Sequence, residues 1–301
     1  MMPQTHEHAA LFALLRRGGE PWARIAAGVA FEGSAMAIWN ASQADEALFD
    51  LPGSDSGLEA ASAEISAWEA RRLSFTTVLD STYPRRLLDV HETPPFLFYE
   101  GDLRSVDDGM SVVGSRSASV EGQRLAADVA RFLVEEGLTV ISGLAAGIDA
   151  AAHRAALEAG GRTVAFIGTG IARSYPAANA GLQREIAERG LVLSQFLPDA
   201  PPSKQSFPMR NASMSGYGLA TIVIEAGEHS GTRNQVRRAG DHGRPVILTE
   251  RVASSTSWGS ALRGSPGVHV VGSMSDLGHA VSEIRERPRL AEEALAALAG
   301  A

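Results

Sequence analysis

The sequence predicts an α/β fold, in which a mostly parallel sheet carries helices on both faces and follows a small helical N-terminal domain. Three observations lead to it. Short apolar runs alternate with helical periodicity beyond Met110, and the residues before Arg72 show helical spacing alone. Two of the apolar runs pass directly into helical patterns, through Val112-Val113-Gly114-Ser115-Arg116 and Ser142-Gly143-Leu144-Ala145-Ala146-Gly147-Ile148-Asp149. Such turns aim backbone N–H groups and the positive end of a helix at one sheet edge, a geometry suited to phosphate.

From about His6 to Arg72 the chain is Ala-rich, with Leu11, Leu14 and Leu15, then Ile65 and Trp68, at helix spacing. This predicts a helical domain over residues 1–72. Leu51-Pro52-Gly53-Ser54-Asp55-Ser56-Gly57 interrupts it as a turn or loop. From Ser74 the texture changes: Phe75-Thr76-Thr77-Val78-Leu79 and Phe96-Leu97-Phe98-Tyr99 read as strands, separated by breaks at Pro84 and Pro94-Pro95. Further strand-like runs fall at 111–113, 139–141, 163–167, 191–193, 221–224, 246–248 and 268–271. Helical patterns occupy most of the intervals, at 120–136, 147–159, 180–189, 231–242 and 276–287. The second domain is thus expected over 73–289, with an Ala-rich tail at 290–301. In such sheets ligands sit beyond the carboxyl ends of the strands, where both opening turns would lie.

Composition narrows the functional classes. With 301 residues and 45% hydrophobic content, the chain can bury a substantial core. No apolar stretch reaches the roughly 18 residues of a membrane span, and Met1-Met2-Pro3-Gln4-Thr5-His6-Glu7-His8 lacks the pattern of a signal peptide. The expectation is a cytoplasmic protein without a membrane partner. The absence of cysteine excludes disulfides, thiolate zinc sites and a cysteine nucleophile. A formal charge of −8 argues against polyanion binding over the whole surface, so any nucleic-acid site must be a local patch. Lys204 is the only lysine in an arginine-rich basic set.

The chemistry-bearing segments follow the strands. Gly114 permits a sharp turn, Ser115 follows it, and Arg116 stands at the helix entrance with a planar donor fork suited to phosphate; alone, this is also what an ordinary tight turn with a solvated arginine looks like. In the second turn Ser142 and Gly143 leave the strand and Gly147 allows close backbone approach. Asp149 reads as a first-turn acid complementing the helix dipole, and His153 as a packed or exposed helix residue. Lys204-Gln205-Ser206-Phe207-Pro208-Met209-Arg210-Asn211 places cations on either side of an aromatic, in a loop after Pro198, Pro201 and Pro202. Cations that track a phosphate backbone and a ring that accepts an unstacked base are the division of labour in single-strand binding. The same residues also suit a core Phe207 and a helix-start Pro208. A secondary pocket is expected at Glu225-Ala226-Gly227-Glu228-His229-Ser230-Gly231-Thr232, where Ser230, Gly231 and Thr232 can donate at a helix N-terminus. Glu225 there is either an acid/base or ribose ligand, or a carboxylate that holds the loop. Gly168-Thr169-Gly170-Ile171-Ala172-Arg173-Ser174-Tyr175-Pro176 adds a glycine turn with a nearby arginine.

Taken in order and spacing, these five segments resemble the DNA-processing protein A (DprA/Smf) family, over about Tyr83 to Leu248. The resemblance implies an extended Rossmann-like domain that binds single-stranded DNA, delivers it to the RecA recombinase in transformable bacteria, forms a homodimer, and works without catalysis, cofactor or metal. By motif it implies that Arg116 and Lys204 contact phosphates, with Ser142 and Gly143 contributing. Phe207 would lie against a base or sugar, and Arg210 and Asn211 would shape the pocket. The chain departs from the family pattern in several places. Arg210-Asn211-Ala212 replaces Arg-Asn-Arg, Thr232-Arg233-Asn234-Gln235 replaces a small and apolar segment, and Gln195 replaces a glutamate. The Pro-Gly turn after Leu248 is absent and no winged-helix pattern follows, so a divergent member is expected.

Two other classes compete. The related lysine-decarboxylase-like Rossmann group, as nucleotide sensor or nucleoside-monophosphate hydrolase, would use Glu225 as acid/base and residues 230–232 as a phosphate cradle, but its Pro-Gly-Gly-x-Gly-Thr run is missing. A dinucleotide oxidoreductase is weaker still: neither turn gives G-x-G-x-x-G, and Ile141 runs into Ser142 where a ribose-binding acid would stand.

Overall fold

The computed structural model describes residues 3–48 and 55–299. Residues 51–54 of the predicted turn lie outside that range, and Asp55, Ser56 and Gly57 already belong to a helix. The chain begins with α1 (Pro3–Arg17), α2 (Trp22–Glu32), α3 (Ala35–Leu48) and α4 (Asp55–Ala70). Every residue from 9 to 15 in α1 is buried, which its apolar circumference requires. Helices α2, α3 and α4 pack around it.

The antiparallel pair β1 (Ser74–Thr77) and β2 (Phe96–Gly101) then lies at one edge of a sheet. Phe12 meets Trp68, Phe75 and Phe96 at ring-centroid distances of 4.9, 5.7 and 4.9 Å, and Trp68 meets Phe98 at 4.9 Å. This cluster of aromatic rings joins the N-terminal helices to the sheet.

Alternation follows as predicted: β3 (Gly109–Gly114), α5 (Val120–Glu135), β4 (Thr139–Ser142), α6 (Ile148–Glu158), β5 (Thr163–Phe166), α7 (Ala180–Arg189) and β6 (Leu191–Ser194). After them come α8 (Ser206–Tyr217), β7 (Thr221–Glu225), α9 (Thr232–Asp241) and β8 (Val246–Thr249). Short helices α10 (Glu250–Ser255) and α11 (Ser257–Ala261), then β9 (Val268–Val271) and α12 (Met274–Ala299), complete the described chain. The stretch from Leu290 is therefore the end of α12.

The strands form a nine-stranded sheet in the order β1-β2-β6-β5-β4-β3-β7-β8-β9. All pairings from β6 to β9 are parallel, and only β1–β2 and β2–β6 are antiparallel. Both faces are covered, and the period of two divides the side chains between them. Met110, Val112, Val140, Ile222, Ile224 and Ile247 pack on the side of α5, α6 and α12, whereas Val113, Ile141, Val223 and Leu248 turn to the other core. From β3 the chain steps outward to β6, then returns to β7 on the other flank of β3. The direction of travel reverses there, and a crevice opens beyond the carboxyl ends of β3, β4 and β7. No described helix is long and apolar enough to cross a membrane.

Candidate functional site

A cavity of about 520 Å³ fills that crevice. One wall follows β3, where the ladder with β7 shifts register between Val113 and Gly114 and turns the following residues out of the sheet. Gly114, Ser115 and Arg116 line this wall. A second wall is the start of α8, with Phe207, Arg210 and Asn211, and a third is the turn from β7 into α9, with Ser230, Gly231 and Thr232. The segment around Phe207, read as a loop or as a helix start at Pro208, is the first turn of a helix, and Ser230, Gly231 and Thr232 of the expected secondary pocket belong to the same cavity.

Two of these walls are locked by glycine. Gly147 has φ +78°, and a Cβ on it would lie 2.2 Å from the Ser115 carbonyl oxygen. On Gly143 a Cβ would lie 1.3 Å from Nη1 of Arg210. Gly143 and Gly147 therefore hold backbone and guanidinium in place without lining the cavity. Ser142 is fully buried and donates its hydroxyl to the Val112 carbonyl at 2.6 Å, so it too is structural framework.

At the lip the Arg116 guanidinium stands over the Phe207 ring, 5.1 Å from its centroid. Tyr175 flanks the ring at 5.6 Å. Arg210, by contrast, is buried and donates from Nη1 to the Phe166 carbonyl at 3.2 Å. Burial pulls its pKa down, opposed by the negative charge of Asp149. Asp149 was expected only to complement a helix dipole. It lines the cavity, sits buried near Arg210 and accepts N–H bonds from Gly143 at 3.2 Å and Ala145 at 3.3 Å. Burial raises its carboxyl above the ordinary aspartate value, against the pull of Arg210 and those N–H groups. His153, one turn further along α6, is fully buried.

Glu225 does not line the cavity. Its carboxylate accepts from the Ser119 N–H at 2.9 Å and the Ser119 hydroxyl at 2.5 Å, and Arg251 lies 3.4 Å away. Desolvation pushes this carboxyl up, but the Ser119 bonds and Arg251 outweigh it and hold it below the usual glutamate value. Glu225 thereby braces the N-terminus of α5, which Ser119 caps through Gly122 N. Lys204 is exposed in the turn before α8 and outside the cavity lining. Sequence reasoning passed over Asn234 and Gln235, which line the cavity from the first turn of α9. Their signal was present, as polar residues directly after Ser230-Gly231-Thr232 at a helix start.

Comparison with known proteins places the architecture. The family model described as DNA recombination-mediator protein A matches residues 74–282. The chain belongs to this family. Among curated family relatives, DNA processing protein DprA of Streptococcus pneumoniae is 41% identical over 180 residues, covering 60% of this chain and 64% of the relative. Protein Smf of Synechocystis is 38% identical, covering 58% of this chain and 45% of the relative. The matched region thus spans less than two thirds of either relative. The X-ray structure of DNA processing protein A from S. pneumoniae superposes with a TM-score of 0.64 at 34% identity, over 74% of this chain and 80% of that one. DNA processing protein A from Helicobacter pylori, described for its single-stranded DNA binding mode, shares the fold with a TM-score of 0.62 at 22% identity, over 71% of this chain and 97% of that one.

Proposed function

We propose that this protein binds single-stranded DNA in the cavity beyond β3, β4 and β7, and that it acts in DNA uptake and recombination by presenting the strand to RecA as a homodimer. The observation that carries the reading is the pairing of Arg116 with Phe207 at the cavity lip, a cation for phosphate beside a ring for an unstacked base. Family membership supports it, and so does the shape of the surface. A second concavity of about 440 Å³ shares His229, Ser230 and Asn234 with the first and continues along α9 past Arg233 and Arg237. A strand several nucleotides long suits that run of surface better than a single nucleotide does. Lys204, one turn before Phe207, would meet phosphate outside the cavity.

Fluorescence anisotropy with a labelled oligonucleotide over a salt series tests the reading. Binding is expected at low salt and weakens as salt rises; Arg116→Ala removes one phosphate contact and lowers the slope of log K against log salt by about 0.7. No binding of single strands at low salt would overturn the proposal. The hydrolase alternative needs Glu225 as acid/base, and that carboxylate is engaged with Ser119. Incubation with adenosine monophosphate should therefore release no adenine; release abolished by Glu225→Gln would favour the enzyme.

A further inference from the structure

On the far end of α9 from the cavity, His91 and Glu92 meet His242, the residue that caps the helix C-terminus. One ligand atom from each of the three lies within 4.8 Å of the other two. Glu92 Oε2 is the centre of the group, 2.8 Å from His242 Nε2 and 3.1 Å from His91 Nε2. The His242 side chain is fully buried, and its Nδ1 lies 3.1 Å from the Ser215 hydroxyl.

We propose that His91, Glu92 and His242 form a binding site for a divalent transition-metal ion of the zinc, cobalt or nickel type. Two imidazoles and a carboxylate suit these borderline ions, while magnesium and calcium prefer all-oxygen sets. The spacing fits. Ligand bonds of about 2.0–2.1 Å at tetrahedral angles separate neighbouring donor atoms by roughly 3.3 Å, so an ion needs the two Glu92 contacts to open by about 0.2–0.5 Å, with the imidazole nitrogens already within 4.8 Å of each other.

Proton placement fits as well. Without an ion, both Nε2 atoms can donate to Glu92 while Ser215 donates to His242 Nδ1. With one, His242 shifts its proton to Nδ1 and donates to the Ser215 oxygen, the orienting bond that metal-binding histidines usually make. The exposed side of His91 leaves a fourth position for water or another ligand. Arg238 opposes the ion, because its guanidinium pairs with the other oxygen of Glu92. A bound ion would tie the segment after Pro84 to the end of α9, the helix whose start forms a cavity wall.

The test uses the full chain, freed of metal by chelation and titrated with cobalt or zinc chloride. One ion per chain is expected, with the visible absorption of tetrahedral cobalt and a raised melting temperature in zinc but not in magnesium. His91→Ala, at an exposed position, should weaken binding about tenfold or more, as should His242→Gln, while Arg238→Gln should tighten it by removing the competing cation. Absence of saturable binding, or binding unaltered by His91→Ala and Arg238→Gln, would overturn the proposal. These readouts contain no DNA, so their outcome is separate from that of the strand-binding assay.

Discussion

His153 shows how one residue beneath the cavity couples stability to pH. Its Nδ1 lies 2.7 Å from the Thr163 hydroxyl, which itself donates to the Val140 carbonyl, so Nδ1 must carry the proton and donate. Burial, reinforced by the nearby positive charges of Arg210 and Arg154, lowers its pKa from 6.5 to about 3. Between those values the unfolded chain binds a proton that the folded chain refuses. The contribution is therefore complete above about pH 6.5 and is lost as pH falls, by about 1.4 kcal/mol per pH unit. His153→Asn keeps a donor for Thr163 and cannot charge. In urea unfolding between about pH 6 and pH 4, its stability should fall less steeply than that of the parent by this amount, and parallel slopes would contradict the assignment.

The same scale shows which site residues could be read from sequence. Arg116, Phe207, Arg210 and Asn211 stand in the cavity because short motifs fixed them relative to strand and helix ends. Lys204 drew attention as the lone lysine, a compositional signal that carries no information about direction, and its side chain is exposed outside the lining. Asp149 was underrated for a related reason. Its place in a first helical turn was visible, but the approach of Arg210, 61 residues later in the chain, was not.

Among the elements, α8 is the instructive omission. Ser213, Met214, Ser215, Gly216 and Tyr217 are all buried, so the helix lacks a polar face and shows no amphipathic period. Its small polar residues look like a loop. By contrast, α7 and β9 occupy the residues expected of them, because one has an amphipathic pattern and the other is bounded by Gly267 and Gly272.

Glycine substitutions separate a helix entrance that requires glycine from a helix position that does not. Gly147→Ala, facing both the left-handed backbone and the Ser115 oxygen, should cost about 3 kcal/mol or more. Gly181→Ala in α7, where a Cβ meets nothing within 4 Å, should instead stabilise by about 0.5–1 kcal/mol. Urea midpoints of the two variants should move in opposite directions.

For the molecule as a whole, the aromatic cluster makes the N-terminal helices and the sheet edge share one core. Phe12 is 2% exposed, and its ring touches residues from α4, β1 and β2. Phe12→Ala should cost about 3–5 kcal/mol, and the parent chain should unfold with helical and tertiary signals in register. A parent chain whose α1–α4 melt before the sheet would show that the cluster does not couple them. The parallel order was legible because buried strands and amphipathic helices alternate. The reversal at β3 was not, since nothing in a local pattern states which flank a returning strand will choose.

That reversal divides the labour of recognition. The cavity walls come from segments that are far apart in sequence: those carrying Ser115 and Arg210 are wedged against Gly147 and Gly143, whereas Gly227 and Gly231 of the β7–α9 turn have open space around them. Thr232, Asn234 and Gln235 line the cavity from that turn and the helix it opens, opposite the pairing of Arg116 with Phe207. Retuning of this crevice is therefore least costly at the β7–α9 turn, where a new side chain displaces no neighbour, and most costly at the two wedged walls.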